Sequence, residues 1–173
     1  MDDRTLILLL RLVHILAGVF WVGAALVLSL FLAPTARHVG HEAGPFMREL
    51  MIGRRLSHWL WIAATLTVLS GLAMYWRFAA LSGGAFAGTR HGIALGVGGA
   101  AAILAAVLGS AIGGAAARRM AAMGAQLQRA GTPPEPTVAA AMQRLQRRAR
   151  VGSAIAAGLL VVATLAMAGA RYF

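Results

Sequence analysis

The sequence predicts an all-α membrane protein, an antiparallel bundle of four transmembrane helices with a cytoplasmic helical extension between helices three and four. Three observations carry this reading. The 173-residue chain is 60% hydrophobic with a mean hydropathy of +0.75, above the apolar share of about 45–50% found in soluble domains. Four predominantly apolar runs, at about 6–32, 56–76, 91–117 and 150–170, each match the roughly 20 residues that cross a hydrocarbon core. The five acids, Asp2, Asp3, Glu42, Glu49 and Glu135, all fall outside these runs. The chain therefore reads as a single membrane-embedded domain, 1–173.

The first run follows Asp2 and Asp3 rather than a basic stretch, and it exceeds the roughly 7–15 apolar residues of a signal-peptide core, so it reads as a true span. A loop is expected next, holding Pro34, Gly40, Gly44 and Pro45. Within it Phe46, Met47, Leu50 and Met51 recur at helical spacing beside Arg48, Glu49, Arg54 and Arg55, the pattern of a short interfacial helix. Trp59 and Trp61 open the second run and Tyr75, Trp76 and Arg77 close it, as interfacial aromatic belts do. The third run carries Gly92-x-x-x-Gly96 and Gly109-x-x-x-Gly113, which permit close helix approach. Beyond it, Met120, Met123 and Leu127 form one apolar stripe and Val138, Met142 and Leu145 another, predicting an antiparallel hairpin with arginines on its outer face. Thr137, after a proline-rich turn, is the expected N-cap of the second arm.

All sixteen basic residues are arginine and the formal charge is +11. Four spans place Arg4, Arg11, Arg77, Arg90 and Arg171 on one face and the other eleven arginines on the opposite face. The richer face is expected in the cytoplasm and both termini outside, in a bacterial inner (plasma) membrane. The basic excess then meets anionic lipid rather than nucleic acid. With no cysteine, disulfides, thiolate metal sites, iron–sulfur clusters and covalent haem attachment are excluded. With no lysine, Schiff-base chemistry is excluded too. Acid-based proton relays lack their carboxylates within the spans, and no nucleophile elbow, Walker sequence or His-Glu-x-x-His motif is present.

Histidine remains. His14 lies about one turn inside the outer boundary marked by Arg11, and His91 opens the third run at that boundary, so the two imidazoles are expected at one level. A haem iron uses that arrangement, each neutral imidazole ligating through one nitrogen while a carbonyl or water orients the other. Gly18 and Trp21 follow His14 at i+4 and i+7, offering room and a packing surface for a macrocycle on the same helix face. Arg11, Arg77 and Arg90 share that level and suit propionates. The reading is a membrane b-type haem protein, with His14 as axial ligand, His91 as candidate second ligand, and Arg11 and Arg90 near the propionates. Two imidazoles favour electron transfer to a redox partner; one leaves an open position for redox catalysis. His38, His41 and His58 belong to the opposite end and form a second candidate metal set. Met47/Met51 and Met120/Met123 are of a type that takes Cu(I), although packing explains both pairs more simply. The rival readings are a copper-handling protein and an accessory subunit of a larger membrane complex or homo-oligomer.

The stretch His14-Ile-Leu-Ala-Gly-Val-Phe-Trp21-Val-Gly23 resembles the first helix of the CopD-like and HemJ-like group of small membrane proteins, which are four-helix or larger bundles. Arg54-Arg55-Leu56 leading into a span with Gly71, and His91 opening the third run, extend the similarity over the first two-thirds of the chain. The HemJ-like branch implies haem held by His14 and oxidation of protoporphyrinogen. Its third helix carries a lysine just after the histidine, whereas His91 is followed here by Gly-Ile-Ala-Leu. That departure weighs against the oxidase activity and leaves the haem. The CopD-like branch implies copper handling, but the chain has no methionine-rich outer segment.

Overall fold

Asp2 opens the helical chain by accepting a hydrogen bond from the Thr5 N–H at 3.3 Å, an N-cap that satisfies one of the donors a helix start leaves orphaned. Those bonds from Thr5 also hold the Asp2 carboxyl below the ordinary carboxylate range. The computed structural model describes residues 2–131 and 135–172, and it is helical almost throughout, with no strand among them. Four helices are long and apolar enough to cross a membrane: α1 (Asp3–Val39), α2 (Leu56–Leu81), α3 (Arg90–Leu127) and α4 (Pro136–Tyr172).

Helix α1 runs past Pro34, where the sequence predicts a loop. A π-turn at Leu28–Leu32 precedes the proline, and the Ala33 N–H bonds back to the Leu28 carbonyl, a widened turn that accommodates the missing proline N–H. Pro34 then sits in the first turn of the segment Ala33–Val39, and Gly40 at φ 77° ends it. A short helix is present where the interfacial one is expected, at Ala43–Arg48, followed by a π-turn at Glu49–Gly53. Helix α2 starts after Arg55, which takes the left-handed conformation at φ 53°, and it continues five residues beyond the expected end at 76. Ser82, Gly83 and Gly84 turn the chain into a one-turn helix, Ala85–Gly88. Thr89 then caps α3, accepting from the Gly92 N–H at 2.9 Å and donating to the Phe86 carbonyl at 2.7 Å.

Past a π-turn at Gly109–Gly114, the helical extension predicted from Arg118 onward is present and continues to Ala130. The N-cap of α4 is Glu135 with Pro136 at the first helical position, not Thr137, because proline is preorganised there and needs no N–H partner. Met120, Met123, Leu127, Val138, Met142 and Leu145 are all half-buried, so the two apolar stripes of the extension do pack.

The broadest interfaces join α1 to α2 and α3 to α4. In each pair, rising residue numbers on one helix meet falling numbers on the other. Asp3 pairs with Arg77 while His14 reaches Thr67. His91 meets Ala170 while Gly109 lies beside Ala156. The core is built from small residues: Trp21 is buried with Ala63, Ala101, Ala102, Ala105, Leu160 and Ala163. Lipid tails are as apolar as leucine, so spanning helices associate through close packing rather than hydrophobic expulsion. The tightest approach is Gly152 on Gly113, where an added Cβ would lie 2.7 Å from the Gly113 nitrogen. Gly109 and Gly113 thus act as the sequence predicts. Gly96 instead lies under the Tyr75 hydroxyl, 3.3 Å from an added Cβ, and Gly92 packs on the Phe86–Thr89 turn rather than on a second long helix. Large apolar side chains cover the outside, with Leu16 72%, Val19 69% and Trp76 79% exposed, a surface suited to hydrocarbon and not to water.

Candidate functional site

The polar interior gathers around His14. Its Nδ1 lies 2.8 Å from the Thr67 carbonyl oxygen, and a carbonyl only accepts, so Nδ1 carries the proton and donates. The imidazole is thereby set in the Nδ1–H tautomer, with the Nε2 lone pair left over. No hydrogen bond among the described residues involves Nε2. Nor is it sealed in, since the single wholly buried side-chain atom lacking a partner among them is Arg77 Nε. The Ser70 hydroxyl donates to the Leu66 carbonyl at 2.5 Å and leaves its oxygen 3.4 Å from His14 Nδ1. Thr67 and Ser70 are the two buried polar side chains of the core.

One glycine makes room for the ring, and a second lets Thr67 approach α1. A Cβ on Gly71 would stand 2.8 Å from His14 Cε1 and 3.1 Å from Nδ1, so only hydrogen fits there. Gly18, one turn along α1, faces Thr67 at the ordinary contact distance of 3.5 Å. Thr67, Ser70 and Gly71 stand at i, i+3 and i+4 on one face of α2. The hydroxyls of Thr67 and Ser70, three residues apart in a largely apolar run, were a readable sign that this face meets a polar partner.

His91 is held in the same manner but elsewhere. Its Nδ1 donates to the Ala170 carbonyl at 2.8 Å, satisfying an acceptor at the C-terminal end of α4. Its ring meets Phe86 edge-on at 5.9 Å, and Phe86 in turn packs on Tyr75 and Phe78, each at 5.6 Å. His14 contacts α2 around Ser70 and Gly71, whereas this aromatic cluster contacts α2 at Tyr75 and Phe78. The two levels differ by roughly two helical turns, about 10 Å. The expectation that both imidazoles share one level is therefore corrected: each is fastened to a different helix at a different depth.

Trp21 neither faces lipid nor lies open for a macrocycle, because it plugs the alanine core at 8% exposure. Arg11 and Arg90 are exposed, and Arg77 is tied to Asp3. His38 and His58 are exposed at the other end, and the side chain of His41, the third member of that expected set, lies outside the described residues. Among the described residues no group of three His, Cys, Asp or Glu side chains gathers to hold a metal ion. Met47 and Met51 are half-buried, and the Met51 sulfur takes a Ser57 hydroxyl contact at 3.6 Å. The arginines of the extension do not all face outward: Arg119, Arg144, Arg147 and Arg148 line an open groove of about 1170 Å³ between its two arms.

Comparison with family models, with curated proteins and with solved structures finds no match for this chain.

Proposed function

We propose that the chain is a multi-pass membrane protein that binds haem b through His14, with Nε2 as the axial ligand. The observation that carries the reading is the bond from Nδ1–H of His14 to the Thr67 carbonyl at 2.8 Å. A metal-ligating histidine commonly donates its other ring N–H to a carbonyl, which fixes the tautomer and raises the basicity of the ligating nitrogen. The donor set fits iron: a neutral imidazole with a free, unsealed Nε2 inside an apolar bundle, flanked by Gly18 and Gly71. Arg11, one turn nearer the helix start and without an ion-pair partner among the described residues, is the cation placed for a propionate. Haem bound there would supply a one-electron iron couple, whose potential the apolar surroundings and the Nδ1–H bond would tune.

In this proposal the iron has one protein ligand. His91 serves the bundle, tying the start of α3 to the end of α4, and Arg90 belongs to that end. Held by one protein imidazole, the group would supply redox chemistry toward a bound small molecule rather than pure electron relay. The resemblance of His14–Gly23 to the HemJ-like group supports haem over copper. The opposed residue pairings support an antiparallel arrangement, and the arginine count supports a cytoplasmic extension with external termini.

Haem is measured directly on the detergent-purified chain by pyridine haemochrome assay with protein quantification. One haem b per chain is expected. A preparation supplied with haem that remains colourless would overturn the reading.

A further inference from the structure

Where α3 leaves its apolar run at Ala117 and α4 regains its own at Val151, the packed arms beyond leave an open groove of about 1170 Å³ between them. Its wall carries Arg119 from α3 and Arg144, Arg147 and Arg148 from α4, with Ile112 and Val151 at its inner end. No acid lines it. The two ion pairs among the described residues, Arg54–Glu49 and Arg77–Asp3, use none of these four arginines. Arg147 also borders a smaller recess with Arg37 and Arg150, so positive charge continues around the outside of α4.

We infer that this groove is a binding site for an anionic phospholipid. The four arginines stand within two turns along the chain of the points where the apolar runs end, which in a spanning bundle is where the headgroup region begins. Planar guanidinium forks match phosphate oxygens in paired hydrogen bonds. From that ring of charge, Ile112 and Val151 lead back toward the apolar spans, giving the first acyl carbons a surface to follow. A basic recess between helices at the cytoplasmic end of a bundle is the kind of place anionic headgroups occupy. The site is independent of His14, which lies on the far part of α1 against α2.

The test uses full-length protein in neutral detergent, titrated with phosphatidylglycerol or with phosphatidylcholine and read by native mass spectrometry for retained lipid. The wild type should retain phosphatidylglycerol preferentially. Arg144→Gln/Arg148→Gln should weaken that retention by about fivefold for each arginine removed, while Arg118→Gln/Arg129→Gln, an equal loss of charge outside the groove, should leave it unchanged. Arg148→Gln alone carries the same sign if the double variant does not purify. Equal retention of both lipids by the wild type, or equal loss in the control pair, would overturn the site. Displacement of the lipid by inorganic phosphate or by an acidic peptide at matched concentration would overturn the assignment to a lipid.

Discussion

A glycine decides how His14 stands. Because a Gly71 Cβ would fall 2.8 Å from the imidazole carbon, Gly71→Ala must rotate the ring off the Thr67 carbonyl or push α1 away from α2. We expect this variant to lower haem affinity at least several-fold and to shift the Soret band, in a haem titration of the apo form. Thr67→Val should behave like the wild type in the same titration, since the acceptor is the backbone oxygen and the hydroxyl only bonds within its own helix, to Ala63. A Thr67→Val variant that lost haem while Gly71→Ala kept it would show that the ring is held some other way. His14 itself was legible in the sequence as an ionisable group inside an apolar run. Its partner was not, because a backbone carbonyl has no residue type to read and Gly71 is one of 21 glycines. Trp21 was misassigned for a related reason: i+7 spacing places it on the face of His14, but does not say that alanines from three other helices close over it.

At the scale of elements, what the sequence displays best is composition and period, and these gave the four long helices and the packed stripes of the extension. Where one backbone rule meets another, the reading erred. Pro34 signals a break, yet a π-turn absorbs it; Thr137 signals a cap, yet Pro136 takes the first helical position before it. Glycine spacing likewise needed the partner helix to interpret. Gly152, which no motif singled out, marks the closest helix contact, 2.7 Å from an added Cβ to the Gly113 backbone. Gly152→Val should therefore cost about 1–3 kcal/mol by overpacking and lower the thermal unfolding midpoint in detergent. Gly158→Ala, with open space around its Cβ position, should leave the midpoint within error. Equal midpoints for both variants would mean that α3 and α4 do not rely on this approach.

For the whole molecule, charge asymmetry sets the orientation proposed above, with eleven arginines on the face of the extension and five on the other. The chain has no cysteine, so Ala125→Cys, exposed in the extension, reports without background. It should resist a membrane-impermeant thiol reagent in intact cells and react after lysis, and labelling before lysis would invert the topology. The proposed function rests on the separation of the two histidines by roughly two helical turns of the bundle, which makes His14 the single ligand in that proposal. Breaking its bond to α2 removes only a single interhelical hydrogen bond, about 0.6–1.7 kcal/mol, so a variant at this position should still fold. The absorption spectrum of purified His14→Ala, recorded beside wild type and His91→Ala, therefore tests the haem assignment most directly. We predict loss of the Soret band in His14→Ala and an unaltered band in His91→Ala. An unaltered band in His14→Ala, or a change of spin state in His91→Ala, would contradict it.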